Sequence, residues 1–126
     1  MSCTPTQTAS ALRRAKNLNL HLEQGAQFTI PIVYKEGDTV FNFTGATVKC
    51  QFREKVSSPT PVVDLSVGSG LTLAPTEGKI VMTVTAAQTA ALTVFKGVWD
   101  MLVTLPSGEK FRILTGEWEV SRGVTR

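Results

Sequence analysis

The side chains that could carry chemistry are few and lie far apart in the sequence. The one histidine, His21, falls on the polar side of an alternating strand pattern, so we expect its imidazole to face solvent. Asp38, Asp64 and Asp100 are widely separated, which does not indicate a carboxylate pair for acid–base catalysis. No serine stands in a nucleophile-elbow motif, and the Gly-Ser-Gly at 68–70 lacks the lysine of a phosphate-binding loop. The sequence therefore predicts no catalytic residues and a protein that is not an enzyme.

The cysteines and the histidine do not form a metal-binding pattern either. The chain has two cysteines, Cys3 and Cys50, which are too few for a disulfide-stapled domain. No second histidine or cysteine lies at ligand spacing from His21, so we expect no metal site and no cofactor. Cys50 alternates with Val48 and Phe52, which predicts a small buried side chain. Cys3 is expected to be a free thiol, and an intermolecular disulfide through it stays open.

The two tryptophans are the remaining candidates for ligand contact. Trp99 and Trp118 would stack on sugars or on single-stranded nucleic acid bases if they were exposed. Both are flanked by apolar residues of strand-like segments, which favours core packing over a binding platform. A carbohydrate- or nucleic-acid-binding module is therefore the alternative interpretation.

The composition predicts a single globular domain. The 126 residues are 42% hydrophobic and 18% charged, enough for a core and unlike a disordered chain. No run of about 18 apolar residues is present, which argues against a transmembrane helix. The first residues lack an apolar stretch, so we expect no secretory signal peptide.

The formal net charge of +3 is weak evidence for nucleic-acid binding, because the excess lies at the two ends of the chain rather than along strands with aromatic residues. Residues 1–17 are interpreted either as a frayed terminus or as an arm that becomes ordered on a neighbouring subunit. The candidate subunit-interface residues are Leu12, Arg13, Arg14, Lys16, Arg122 and Arg126.

The rest of the chain, residues 18–126, shows the pattern of an all-β domain. Apolar and polar residues alternate in segments separated by Gly, Pro and Ser turns, which predicts about eight short strands. Pro31 predicts an edge strand or a bulge, because proline cannot donate to a sheet. Thr85 and Gln88 form a capping box for one short crossover helix within 85–92. Gly116 is interpreted as a bulge or a change of burial in the last strand. We expect an antiparallel immunoglobulin-like β-sandwich with an extended N-terminal arm.

A series of short motifs in fixed order suggests a family. The series runs through Gln24-Gly25, Gly37-Asp38, Asn42-Phe43-Thr44-Gly45, Gln51-Phe52-Arg53, the segment from Thr85 to Leu92, Gly97-Val98-Trp99-Asp100, Pro106-Ser107-Gly108, Gly116 and Val124-Thr125-Arg126. In this order the chain resembles small β-sandwich domains of tailed-phage virion proteins, similar to the N-terminal domain of phage baseplate upper proteins.

The resemblance implies a structural part of a phage particle, assembled in the host cytoplasm. Such a subunit would be present in repeated copies, as an assembly or adaptor protein of the tail, neck or baseplate. Its partners would be other virion proteins and further copies of itself. The charge distribution argues against nucleic acid as a partner, and the lack of a long apolar run argues against a membrane. A capsid-decorating or head-fibre-anchoring protein is the alternative within the same class.

Overall fold

Strands dominate the part of the chain that the structure, a computed structural model, describes, which is residues 15–124. Two short helical segments accompany them: a 3-10 turn at Pro75–Glu77, and a helix, α1, at Ala86–Ala90. The strands within 15–124 are β1 (Lys16–Asn17), β2 (Leu20–Glu23), β3 (Phe28–Val33), β4 (Lys35–Glu36), β5 (Thr39–Val40), β6 (Thr47–Arg53), β7 (Val63–Val67), β8 (Gly70–Ala74), β9 (Lys79–Val84), β10 (Lys96–Thr104) and β11 (Lys110–Ser121).

Nine of these strands form one sheet that folds over on itself into two layers. Its order is β1-β11-β10-β6-β7-β8-β9-β3, and β2 also pairs with β11. We call β1, β2, β11, β10, β6 and β7 the front layer, and β8, β9 and β3 the back layer. The layers meet across the core, where Cys50 Sγ on β6 lies 3.6 Å from Met82 Sδ on β9. Two packed layers of this order make an immunoglobulin-like β-sandwich, which confirms the predicted fold class.

Two features of the sheet differ from the prediction. Strands β1 and β2 run parallel to β11, and β7 makes a short parallel pairing with β8, so the sheet is mixed rather than antiparallel. Within 15–124 there are more strands than the eight or so expected, because short pairs such as β4 and β5 form their own two-stranded sheet. The alternation of apolar and polar residues indicates on which face of the sheet a residue lies. It does not indicate in which direction the neighbouring strand runs.

Alternating apolar side chains of both layers fill the space between them. Val48, Cys50 and Phe52 of β6 are at most 1% exposed, as their spacing predicts. Burial also raises the pKa of the Cys50 thiol far above its usual range, with smaller contributions from the charges of Asp100 and Asp64. Cys50 is thus an unreactive core side chain, as predicted, and Cys3 lies outside the described residues.

Aromatic side chains concentrate at the two ends of the core. Phe52 lies at one end, with its ring centroid 5.9 Å from that of Trp99 and 5.7 Å from that of Trp118. The other end holds Tyr34, Phe41, Phe43 and Phe111, with neighbouring centroids 4.9 to 6.3 Å apart. Rings at these separations stabilise a core beyond the area that they bury.

Helix α1 connects the two layers and begins where the sequence predicts. The Thr85 side chain accepts a hydrogen bond from Gln88 N, and the Gln88 side chain accepts one from Thr85 N. Thr89 is fully buried, and its hydroxyl accepts from Gly25 N at 3.0 Å and lies 2.9 Å from the carbonyl oxygen of Ala26. The helix therefore fixes the turn between β2 and β3. Within residues 15–124, no helix is long and apolar enough to cross a membrane.

The hairpin of β10 and β11 contains a β-bulge, as predicted, but at a different residue. Met101 pairs with Leu114 but Leu102 pairs with Arg112, so Ile113 is the extra residue of the bulge. Ile113 and Leu114 are consequently both buried. The assignment of the bulge to Gly116 is wrong. Gly116 is needed because another backbone passes over it: a Cβ there would lie 2.1 Å from the carbonyl oxygen of Leu18.

Candidate subunit interface

The residues predicted to form an interface are only partly within the described structure. Leu12, Arg13, Arg14 and Arg126 lie outside residues 15–124. Lys16 is exposed on β1 and aligned with Leu114. Lys16 and its neighbour Asn17 therefore belong to the sheet, although the prediction placed them in the N-terminal arm.

Arg122 follows β11, and its guanidinium carbon lies 4.4 Å from the centre of the Phe95 ring. This cation–π contact fixes the start of the C-terminal segment to the protein's own surface. Lys16 is aligned with Leu114 of β11. Arg122 follows Leu114 by eight residues, which is roughly 26 Å along the strand at about 3.3 Å per residue. The structure therefore places both residues along one edge of the front layer without bringing them together.

His21 is solvent-facing, as predicted, and belongs to a surface network between β2 and β11. Its Nε2 lies 2.8 Å from Ser121 Oγ, and its Nδ1 lies 3.1 Å from Glu119 Oε1. Glu23 Oε1 is 3.7 Å from Nε2. The network joins neighbouring residues of two parallel strands, because His21 pairs with Glu119 and Glu23 with Ser121. Sequence reasoning missed it because the residues are about 100 positions apart.

The connections of this network match those of a Ser–His–carboxylate triad, but its surroundings do not. The side chains of His21 and Glu119 are 51% and 67% exposed. A triad acts in a site that excludes water, where fixed donors stabilise the developing oxyanion. Within residues 15–124, no group of three or more His, Cys, Asp or Glu side chains is placed to hold a metal ion. We interpret the network as a stabilising contact of the edge strand.

The tryptophans do not form a ligand platform. Trp99 is 2% exposed and Trp118 is 1% exposed. Trp99 Nε1 donates to the carbonyl oxygen of Leu18 at 2.8 Å, and Trp118 Nε1 donates to those of Arg53 and Val98 at 3.1 and 3.0 Å. Both rings face the core, as predicted, and their hydrogen bonds tie the β1–β2 connection, β6, β10 and β11 together at one end of the sandwich.

Charged side chains on the outer face of the front layer form contacts that sequence reasoning did not find. Arg112 Nε donates to Asp100 Oδ2 at 2.8 Å, which joins β11 to β10. The guanidinium of Arg53 donates to the Ser58 carbonyl oxygen and to Gln51 Oε1, both at 2.8 Å. Because these side chains are held in place, their charges have fixed positions on the face.

Two depressions lie on this face. One, of about 400 Å³, is lined by half-buried Val98 and Leu102 among the charged residues of β6, β10 and β11. The other, of about 530 Å³, lies at the β2 side and is lined by side chains of both signs, including Lys55, Lys96 and Glu117. An apolar centre with a charged border is the usual composition of a protein–protein contact.

Comparisons with known proteins do not assign a family. No family model matches the chain, and no curated protein matches it. A solved structure from a photo-crosslinking study of multimeric cell-adhesive interactions of VGSC beta subunits superposes with a TM-score of 0.46 and 12% identity. The alignment covers 83% of this chain and 92% of that one. A likeness of this degree supports no inference about what the present chain does.

Proposed function

We propose that this chain is a non-enzymatic structural protein of a tailed-phage virion, an assembly or adaptor subunit of the tail, neck or baseplate. The ordered motifs from Gln24-Gly25 to Val124-Thr125-Arg126 support the proposal by their resemblance to virion β-sandwich domains. The virion would be its location, and other virion proteins and further copies of the chain would be its partners.

The structural observation that carries the proposal is the position of the two described ends. The chain enters the sandwich at β1 and leaves it after β11, and both strands lie at the same edge of the front layer. Because β1 runs parallel to β11, the two described ends lie at opposite ends of this edge, roughly 26 Å apart, where each can contact a different neighbouring subunit. Strand addition and apolar burial would then hold the subunits, and repetition around a symmetry axis would multiply each contact.

The surface chemistry supports a structural role over an enzymatic or sugar-binding one. The triad-like network of His21, Glu119 and Ser121 is open to water, and both tryptophans are buried. Capsid decoration or anchoring of a head fibre would use the same surfaces, so these roles remain alternatives within the virion.

An early stop codon in the gene, placed in the phage genome that carries it, tests the proposal. Infected cells should then release incomplete particles, visible by negative-stain electron microscopy, and supplying the wild-type chain from a plasmid should restore them. A plasmid carrying the same stop codon is the control. Complete and fully infectious particles without the chain would contradict an assembly role.

A further inference from the structure

One edge of the large sheet has backbone groups that no other strand uses. In the described part of the chain, β3 is the last strand of the sheet order and pairs only with β9. Tyr34 N donates to the Gly78 carbonyl oxygen on the β9 side, and the bonding direction alternates along a strand of an antiparallel pair. The N–H and C=O groups of Thr29 and Val33, and the C=O group of Pro31, therefore point away from the sheet. We call this row the β3 edge.

The inward side chains beside this edge are less covered than those in the middle of the back layer. Phe28, Ile30 and Ile32 of β3 pack against the core and are only half-buried. The inward side chains of β9 are fully buried. An extended segment beside β3 would bond to the free backbone groups and would also cover these three side chains.

The opposite edge of the sheet is less suited to accept a strand. Strands β1 and β2 form it, and they carry the exposed side chains of Lys16, His21 and Glu23. Charged side chains discourage pairing at an edge. The segment from Gln24 to Val33 contains no charged residue. The β3 edge is thus the uncharged one of the two, and its one missing N–H, at proline, still leaves donors on either side.

We propose that residues 4–12 of a neighbouring copy add as a strand to the β3 edge. The contact deepens the assembly role proposed above and rests on it for its use in the particle. Residues 1–12 contain no Asp, Glu, Lys, Arg or His, which matches the uncharged edge. Within 4–12, hydroxyl residues alternate with proline, glutamine and alanine, a period of two that suits a strand. The threonines would continue the outer face of the back layer, where Thr29 is paired with Thr83.

The direction of β1 favours a neighbouring copy over the same chain as the donor. Lys16 is aligned with Leu114, and β1 runs parallel to β11. Continued backwards, this direction leads toward Phe111, whose ring centroid lies 6.1 Å from that of Tyr34 at the end of β3. A segment that follows it passes beyond the end of β3 instead of along it. At about 3.3 Å per residue, the eleven residues 4–14 can extend roughly 36 Å from the sandwich.

The contact has consequences for symmetry. It is heterologous, because the segment of one copy meets a different surface on the next. Each copy gives one segment and receives one, so copies are linked into a closed ring or a filament, according to the rotation between neighbours. Such linkage suits a subunit that is present in repeated copies.

Disulfide trapping on the full chain tests the proposal. In a Cys3→Ser background, Thr29→Cys is combined with one further cysteine in the segment, and Cys50 is buried and does not compete. The positions tried in turn share one face of the added strand: Thr4→Cys, Thr6→Cys, Thr8→Cys and Ser10→Cys. After mild oxidation, non-reducing gel electrophoresis should show dimers and larger oligomers for one or two neighbouring positions of the series. The control series replaces Thr29→Cys by Thr115→Cys, at an exposed position on the outer face of the front layer, and should stay monomeric.

Removal of the edge donors is an independent measurement. Thr29→Pro/Val33→Pro leaves the β3 edge without an N–H group, and sedimentation velocity should show association weakened on the order of tenfold or more. Thr29→Val/Val33→Thr keeps both N–H groups and is the matched control, which should associate like the wild type. If the proline variant is unfolded by circular dichroism, the trapping series decides alone.

Three results would overturn the proposal. Cross-links within single chains would show that the chain's own segment fills the edge, and a series without cross-links would show that the segment does not lie there. Equal association of the proline and control variants would place the contact elsewhere. These outcomes are separable from the virion role: a chain found in particles without cross-links keeps that role, and a cross-linked chain absent from particles keeps only the contact.

Discussion

Replacement of Gly97 by alanine should destabilise the sandwich by about 3 kcal/mol or more. A Cβ at this position would lie 2.0 Å from the carbonyl oxygen of Arg53 and 2.9 Å from Trp118 Nε1. The same oxygen accepts the hydrogen bond from the Trp118 indole. The added methyl group must therefore separate the end of β6 from the start of β10 in the front layer, or displace the buried indole. Urea unfolding of the variant and the wild type, followed by tryptophan fluorescence, measures the difference.

Two further glycines provide matched controls for this prediction. Gly116→Ala adds a methyl group 2.1 Å from the Leu18 carbonyl oxygen, but β1 and β2 form the edge of the layer and can move away, so it should cost less. Gly108→Ala adds a methyl group into open space, but at a φ of +93°. Alanine is strained in this backbone conformation, which should cost about 1 kcal/mol. If Gly97→Ala were no more damaging than Gly108→Ala, the close approach of β6 to β10 at this point would be wrong.

Truncation of Trp118 to alanine should cost about 3–5 kcal/mol, the usual range for a buried aromatic residue. The side chain is 1% exposed, and its ring lies beside that of Phe52, with 5.7 Å between the centroids. Its indole N–H also bridges the carbonyl oxygens of Arg53 and Val98. The loss of stability thus has two causes. The substitution leaves a cavity, and it removes the hydrogen-bond donor of two carbonyl groups. The free energy of unfolding in urea, followed by far-ultraviolet circular dichroism, is the measurement.

The phenylalanine variant separates packing from hydrogen bonding. Trp118→Phe keeps an aromatic ring and removes the N–H, so it should cost about 1–2 kcal/mol, well below the alanine variant. Val56→Ala, at a side chain that is 85% exposed, should stay within about 0.5 kcal/mol of wild type. Equal losses for the alanine and phenylalanine variants would contradict a packing role, and a negligible loss for both would place Trp118 outside the core.

The faces of the strands could be predicted from the sequence because they follow from local periodicity. Val48, Cys50 and Phe52 alternate with polar neighbours, and all three are buried. Pro31 lies on β3, at the end of the sheet order, as expected of a residue that cannot donate. The capping box of Thr85 and Gln88 is formed as predicted. In each case residues within a few positions of one another determine the result.

Features that depend on which strands are neighbours could not be predicted in the same way. The close approach over Gly116 arises because Leu18 lies nearly a hundred residues away in sequence and beside it in space. The bulge at Ile113 is defined only by the register with β10. The ion pair between Arg112 and Asp100 forms only because β11 lies beside β10. The alternation of apolar and polar residues predicts the two faces of each strand, but it does not predict the order of the strands in the sheet.

Quantitative mass spectrometry of purified phage particles decides whether the chain is a virion protein. Particles should be purified through a density gradient from cells in which the gene is expressed during infection, with a host cytosolic protein as the carry-over control. The chain should co-purify with the particles in several copies, in a constant ratio to the major tail and capsid proteins. A chain that is abundant in the lysate and absent from the particles would contradict a virion role.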